Sequence, residues 1–466
     1  MNKISRRRFL GQATCAGFSL SGLISTMGTL RLLSASLSAQ GLPPGDDFKA
    51  IICLFLYGGN DGNNVIIPTD TVGYQAYVRD RGILALPRTG LNTLTLPSGD
   101  GRQFGLHPSM ARLAGLFNAG QAAMVCNVGT LVAPITKAEY LAGGAAVPPY
   151  LFSHSDQQVQ WQTSVPDSPR KVGWGGRLAD LLQSLNGSSQ VSMNISLAGS
   201  NYFQIGEQVF QYHVSNEGSI GLTQYDATWS PLQEQYAAAR NVIGHSYGHV
   251  FEQEYANVFG RAVANDTLLK GVLANVPDYA NYFTASTVNG ELTDIAAQLR
   301  MILRLISARS SLGMRRQIYF AALGGFDTHD DQIDGQGALL GVLDNAVADF
   351  QGATTALGIA NDVTVFSASD FNRTYNSNGK GSDHAWGNHH FVVGGAVRGG
   401  RLYGSMPVLE TGGPNDTGDR GAWIPGISTD EYSATLATWF GVQPAQLSLV
   451  LPNIGRFGQP NLGFML

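Results

Sequence analysis

The chain is poor in cysteine, with three in 466 residues: Cys15, Cys53 and Cys126. Cys53 and Cys126 lie inside apolar runs, where a reduced thiol behaves as a small hydrophobe. They permit at most one bridge, and sequence does not show whether it forms. There is no excess of positive charge: 29 basic residues face 34 acidic ones. A surface of that balance has no field to attract nucleic acid or anionic lipid. No internal repeat, no heptads and no long low-complexity segment follow the first forty residues, which leaves a compact globular chain.

The N-terminus carries Ser5-Arg6-Arg7-Arg8-Phe9-Leu10, then a weakly apolar stretch over residues 11–30 and Arg31. Paired arginines ahead of such a stretch are the layout of a twin-arginine export signal. The stretch is rich in Gly, Ser and Thr, too weak for a permanent bilayer anchor. The expectation is therefore export by the Tat translocase, cleavage near Ala39, and residence in the periplasm or outside the cell. Removing residues 1–39 takes away Lys3, Arg6, Arg7, Arg8 and Arg31 and no acidic residue, so the net charge moves from −5 to about −10.

Residues 50–57 (AIICLFLY) are a continuous apolar run ending at two glycines, the pattern of a strand buried on both faces. Residues 107–119 have helical spacing, and 122–128 read as a second buried strand. Residues 291–310 predict a helix, since Leu292, Ile295, Leu299, Ile302, Leu303 and Ile306 recur at three and four. Strands at 317–323, 362–367 and 391–394, a helix at 337–357 and a closing helix at 429–440 with a Thr-capped start complete the reading. The alternation predicts an α/β fold with a central, mostly parallel sheet flanked by helices on both faces. Residues 40–466 read as one domain, with an irregular insertion around 191–289.

In open α/β sheets ligands collect beyond the carboxyl ends of the strands. Three loops there hold carboxylates and imidazoles. Gly58-Gly59-Asn60-Asp61-Gly62-Asn63-Asn64 follows the first strand; Asp61 there is either a metal ligand or the cap of its own Asx-turn. Gly324-Gly325-Phe326-Asp327-Thr328-His329-Asp330-Asp331-Gln332 offers Asp327 and His329 to one cation, with Asp330 and Asp331 as a solvated acidic turn. The third runs from Ser369-Asp370-Phe371-Asn372-Arg373-Thr374 to Ser382-Asp383-His384-Ala385-Trp386-Gly387-Asn388-His389-His390 and holds three of the nine histidines. Together Asp61, Asp327, His329, Asp370, Asp383, His384 and either His389 or His390 suffice for two cations bridged by a substrate oxyanion. Arg373 is either an anion-binding group or a surface ion pair.

These motifs, with the leader, the Ser153-His154 segment and Gly421-Ala422-Trp423-Ile424-Pro425, resemble the bacterial family catalogued as domain of unknown function 1501, within the alkaline phosphatase and sulfatase superfamily. The resemblance spans nearly the whole chain. It implies a three-layer sandwich and a two-metal site in which Asp61 shares one ion with a nucleophilic hydroxyl and a later Asp-His element. Asp327, His329 and His389 would hold the other. The superfamily's adjacent Asp-His pair is split here, with Asp370 followed by Phe371 and the pair appearing at Asp383-His384, which leaves Asp370 and Asp383 as alternative ligands. Neither Cys53 nor Cys126 sits in a C/S-x-P-x-R signature, so a formylglycine sulfatase is not expected. Ser153 is the remaining nucleophile candidate, or else a helix cap; His154 would assist it or ligate a metal.

The expected function is an exported metal-dependent hydrolase of a phosphate, phosphodiester or sulfate ester, using divalent ions among Zn, Mn, Mg and Ca. Its partners would be an anionic ester substrate and, during export, the Tat translocase. The alternative is a non-catalytic exported binding or envelope-assembly protein on the same fold.

Overall fold

The computed structural model describes residues 47–97, 101–187, 189–219 and 230–466. The leader assigned to residues 1–39 lies outside the described residues. Among these, no helix is long and apolar enough to cross a membrane.

The strands in chain order are β1 (Lys49–Leu56), β2 (Ile66–Pro68), β3 (Asn92–Leu94), β4 (Phe104–Leu106), β5 (Ala122–Gly129), β6 (Asn194–Ser196), β7 (Tyr212–Ser215), β8 (Gly218–Ser219), β9 (Thr287–Val288), β10 (Glu291–Leu292), β11 (Arg316–Leu323), β12 (Val363–Ser369), β13 (Asn388–Gly394), β14 (Leu402–Tyr403) and β15 (Ile427–Ser428). Ten of them form one sheet in the order β14-β5-β13-β12-β1-β11-β6-β7-β8, with β15 also on β5. β1 pairs parallel with β11 and β12, and β6 parallel with β11 and β7. β13 runs antiparallel between β12 and β5. The sheet is thus mixed but mostly parallel, as the alternating pattern predicts.

β1 shows why its sequence is apolar without interruption. Ala50, Ile52, Leu54 and Leu56 enter the core on one face, and Ile51, Cys53 and Phe55 enter a second core on the other. Successive side chains point to opposite faces, so a strand covered on both sides needs apolar residues throughout. Cys53 and Cys126 are both free and buried.

The helices used below are α1 (Thr71–Arg81), α2 (Ala111–Asn118), α3 (His154–Thr163), α4 (Trp174–Leu182), α5 (Ser230–Gly244), α6 (Val250–Leu273), α7 (Asp294–Ser307), α8 (Gln332–Ala356) and α9 (Thr429–Phe440). α2, α7 and α8 cover one face of the sheet, and α3, α4 and α9 the other. On α7, Ile295, Leu299, Ile302, Leu303 and Ile306 are all fully buried, each stabilising by roughly 1.5–3 kcal/mol before the entropy of ordering is subtracted.

The structure revises the sequence reading in three places. α9 is capped by Ser428, not Thr429: the Ser428 hydroxyl accepts the Glu431 N–H while Glu431 accepts the Ser428 N–H, a full capping box. α4 is a helix that the reading above did not assign, and α3 was left open only as the helix that Ser153 would cap; α3 (HSDQQVQWQT) has almost no apolar stripe to announce it. Residues 191–289 supply the sheet's edge strands β6, β7 and β8 and the two long helices α5 and α6, far more regular than an irregular insertion.

Candidate metal centre

Asp327 and His329 follow β11, Asp370 follows β12, and Asp383 and His384 precede the antiparallel β13, so all five arrive at the same end of the sheet as the β1 carboxyl terminus. His154 joins them as the first residue of α3. Its approach is strained: Tyr150 and Phe152 have φ of +54° and +71°, a left-handed conformation that costs a bulky residue about 1–2 kcal/mol. The Phe152 carbonyl accepts a bond from His384 Nδ1 at 2.7 Å.

Each of the three imidazoles has its Nδ1 committed outward. His154 Nδ1 bonds Asp370 Oδ2 at 2.6 Å, His329 Nδ1 bonds Asp383 Oδ1 at 3.1 Å, and His384 Nδ1 bonds the Phe152 carbonyl. Those acceptors require the proton on Nδ1, so each Nε2 is left with its lone pair pointing inward. The Nε2 atoms then meet: His384 lies 2.9 Å from His329 and 3.1 Å from His154. Asp327 Oδ1 lies 3.1 Å from His329, 3.4 Å from His154 and 3.5 Å from His384. Unshared lone pairs at such distances repel unless a cation or a proton sits between them. A tetrahedral site with bonds of about 2.0–2.1 Å spaces its donors by roughly 3.3–3.4 Å; His154, Asp327 and His384 bring three ligand atoms within 4.8 Å of one another, and His329 adjoins them through His384 and Asp327. Histidines whose outer nitrogen is held by a carboxylate or carbonyl are the usual form of imidazole metal ligands.

Electrostatics follow from the same contacts. The hydrogen bond to Asp370 raises the pKa of His154 above the ordinary imidazole value. Burial lowers that of His384. Burial opposes ionisation of Asp327, but the Arg373 hydrogen bond and charge outweigh it and hold the carboxyl below its usual range. Asp383 is likewise disfavoured by burial, yet bonds from Arg420, Asn378 and His329 bring it down to about 2. Phe371, fully buried, lies tilted with its ring 4.7 Å from both the His154 and His384 rings and walls the cluster on one side.

The other expected site residues lie elsewhere or have other partners. Asp61 is fully buried and accepts bonds from the Arg81 guanidinium, from Gln332 Nε2 at 2.5 Å and from the Asn63 N–H at 3.1 Å. Arg81 also donates to the Thr374 and Tyr375 carbonyls at 3.1 and 2.9 Å. A guanidinium thus occupies the carboxylate that the reading assigned to a cation. Asp370 offers Oδ2 to His154, to Gln158 Nε2 at 2.9 Å and to the Gly58 N–H at 3.3 Å. His389 is buried within β13, its Nδ1 accepting the Asn127 N–H at 3.1 Å, and burial lowers its pKa to about 4. His390 faces the opposite core against Trp161 and falls to about 3 for the same reason. Neither joins the donor cluster.

Arg373 is neither exposed nor free. It is fully buried and donates to the carbonyls of Gly58, Gly59, Phe326 and Ser382 as well as to Asp327, tying the three loops together. Ser153 stands at the N-cap position of α3 without a side-chain bond to the helix backbone, and its hydroxyl donates to Asp156 Oδ2 at 2.5 Å. Sequence reasoning did not single out Gln158, the Phe152 carbonyl, Arg81 or Arg420. Gln158 could have been found, since it stands one turn after His154 on α3; Arg81 is brought to Asp61 by tertiary packing alone.

Among curated proteins none matches. Solved structures similar to this chain include Ps i-CgsB, at 8% identity and a TM-score of 0.36 over 89% of this chain and 77% of that one. Another is the lipoteichoic acid synthase LtaP from Listeria monocytogenes, at 9% identity and a TM-score of 0.32 over 86% and 76%. A third is the PsFucS1 sulfatase from Pseudoalteromonas sp., at 11% identity and a TM-score of 0.32 over 90% and 72%. None is near enough to transfer a residue role. The family model described as "Protein of unknown function (DUF1501)" matches residues 48–417, from the start of β1 to past β14, and the chain belongs to that family.

Proposed function

We propose that the chain is an exported metal-dependent hydrolase of an anionic ester, a phosphate, phosphodiester or sulfate, with one divalent ion held by His154, His329, His384 and Asp327. The observation that carries the reading is the grouping of His154, His384 and Asp327 ligand atoms within 4.8 Å of one another, with His329 Nε2 3.1 Å from the same Asp327 oxygen and each imidazole held from behind by its own acceptor. A bound divalent ion would supply Lewis acidity, offsetting charge on the ester oxygens and lowering the pKa of attacking water. Asp370 and Asp383 orient His154 and His329, each accepting from the Nδ1 of its ring. Arg373 holds Asp327 ionised and fixes the loops that carry the donors. Asp61 belongs to the supporting frame, paired with Arg81, so the reading takes one ion where the sequence suggested two.

The test is metal analysis after folding in Zn, Mn, Mg or Ca, together with turnover of aryl phosphate, aryl phosphodiester and aryl sulfate. The wild-type chain should retain one ion and hydrolyse one of these classes, while Asp327→Ala and His384→Ala lose both properties. A chain that folds and binds no divalent ion sinks the proposal. The second reading, a non-catalytic exported binding protein, is favoured by the internal use of both Ser153 and Arg373, which leaves neither as a ready substrate contact. Metal retention without turnover of any ester would decide for it.

A further inference from the structure

A cleft of about 600 Å³ opens between α6, the segment 183–193 ahead of β6 and the start of β7. It stands apart from the metal centre. Asn186 in its wall donates to the carbonyl of Arg316, the first residue of β11, whereas Asp327 follows the last, Leu323, so the two sites lie at opposite ends of that strand. At ~3.3 Å per residue the strand separates them by roughly 25 Å. Val191, Met193 and Val209 are the buried apolar lining of the cleft, and Phe210, 74% exposed, adds an aromatic face at the solvent side. The side chains of Gln183, Gln190 and Asn265 also line it and make no hydrogen bond among the described residues. Glu254 and Arg261 are its two charged residues, paired at 2.8 Å with more than half of each side chain in solvent, so the cleft carries both signs and no net charge. That pairing commits one Nη of Arg261, and the other guanidinium N–H groups have no partner among the described residues.

We propose that this cleft binds a short stretch of a neutral glycan, at a site separate from the metal centre. A pyranose presents two kinds of surface, a ring face of C–H groups and an edge of hydroxyls that both donate and accept. Phe210 and the apolar lining match the first. The second matches groups of both polarities: neighbouring hydroxyl oxygens accept from the Arg261 fork, hydroxyl protons go to the Glu254 carboxylate, and each carboxamide offers two donors and an acceptor. Charge separates this ligand from other polar ones. A phosphate, sulfate or uronate would meet Glu254 with no surplus cation, and a polyamine would meet Arg261 with no surplus anion. A wholly apolar ligand would strip water from the carboxamides and the ion pair without replacing their hydrogen bonds.

The test is native electrophoresis of the full chain through gels containing hydroxyethylcellulose, soluble starch, galactomannan or dextran, with EDTA present to keep divalent ions out of the metal centre and circular dichroism to show that each variant is folded. At least one of the four polymers should retard the wild type, and polygalacturonate should not. Phe210→Ala and Arg261→Ala should each raise the apparent Kd about ten-fold or more. Arg261→Lys keeps the charge but not the fork, and should weaken binding nearly as much. Free migration through all four polymers, retardation that survives both alanine substitutions, or equal retardation by polygalacturonate would overturn the proposal. Retardation seen only when Zn or Mn replaces EDTA would place the polymer at the metal centre and overturn it as well.

Discussion

Asp370 gives one carboxylate oxygen to three donors, while its other oxygen is buried with no hydrogen-bond partner. Its contribution to a metal site is therefore indirect, through the orientation and basicity of His154, whereas Asp327 presents its oxygen to the Nε2 atoms directly. The two carboxylates should respond differently to the same substitution. Asp370→Asn keeps the shape but weakens the acceptor behind His154, so metal affinity measured by competition with a chelator should fall about 10–100-fold. Asp327→Asn removes a charged donor and should fall further. If Asp370→Asn abolishes binding as completely as Asp327→Asn, Asp370 is itself a ligand and the outer role is wrong.

At the scale of elements, the loops after β1 and β11 approach too closely for any residue but glycine. Gly58 has φ +111°, and a Cβ there would stand 2.4 Å from the Asp327 nitrogen. Gly58→Ala must displace the Phe326–Asp327 backbone, so metal affinity should drop by about ten-fold or more, and chemical unfolding should show a loss on the order of 2 kcal/mol. An unchanged affinity would show that the donor loop is not held by this contact. The same close packing explains what could be read from sequence. β1, β5, β11 and β12 are covered on both faces, so their residues had to be apolar and were visible as runs. α7 buries a wide stripe and was visible as a period, and α9 was visible through the polar, acidic turn at its start. α3 was left open because its role is polar: it carries His154 and Gln158 to Asp370, and a helix selected for donors shows no apolar repeat. α6 was missed because few of its residues are buried while Phe251, Tyr255 and Val258 are exposed, so no continuous buried stripe announces it. Of the candidate site, the loops that carry the donors were legible from glycine and acid-imidazole motifs. The pairings that divide ligand from frame were not, because Asp61 with Arg81 and Arg373 with four carbonyls are made by tertiary approach.

At the scale of the whole molecule, buried ionisable groups on and around the sheet set opposing pH limits. His107, His389 and His390 are neutral in the folded chain because burial lowers their pKa values to about 4, 4 and 3 from an unfolded value of 6.5. Between those values the unfolded chain binds more protons, so stability they support is present above pH 6.5 and is lost as pH falls. Asp430 runs the other way. Burial raises its pKa to about 7 from 3.8, against opposing contributions from Ser164 and Arg177, and neither carboxylate oxygen has a hydrogen-bond partner. The folded chain then binds the extra proton, and the stability tied to this group is present below pH 3.8 and lost as pH rises through 7. Three imidazoles outweigh one carboxyl below pH 6.5, whereas above it the carboxyl and His154, whose pKa the Asp370 hydrogen bond raises, both lose stability as pH rises. Thermal unfolding of the metal-free chain should therefore show its maximum near pH 6.5, with a steep fall on the acid side and a shallow one toward pH 8. Asp430→Asn should reduce the shallow fall, gaining stability relative to wild type at pH 8, on the order of a few kcal/mol at most, and much less at pH 5. An equal effect at both values would mean that Asp430 is ionised throughout and that its neighbours hold it by contacts the pH profile does not see.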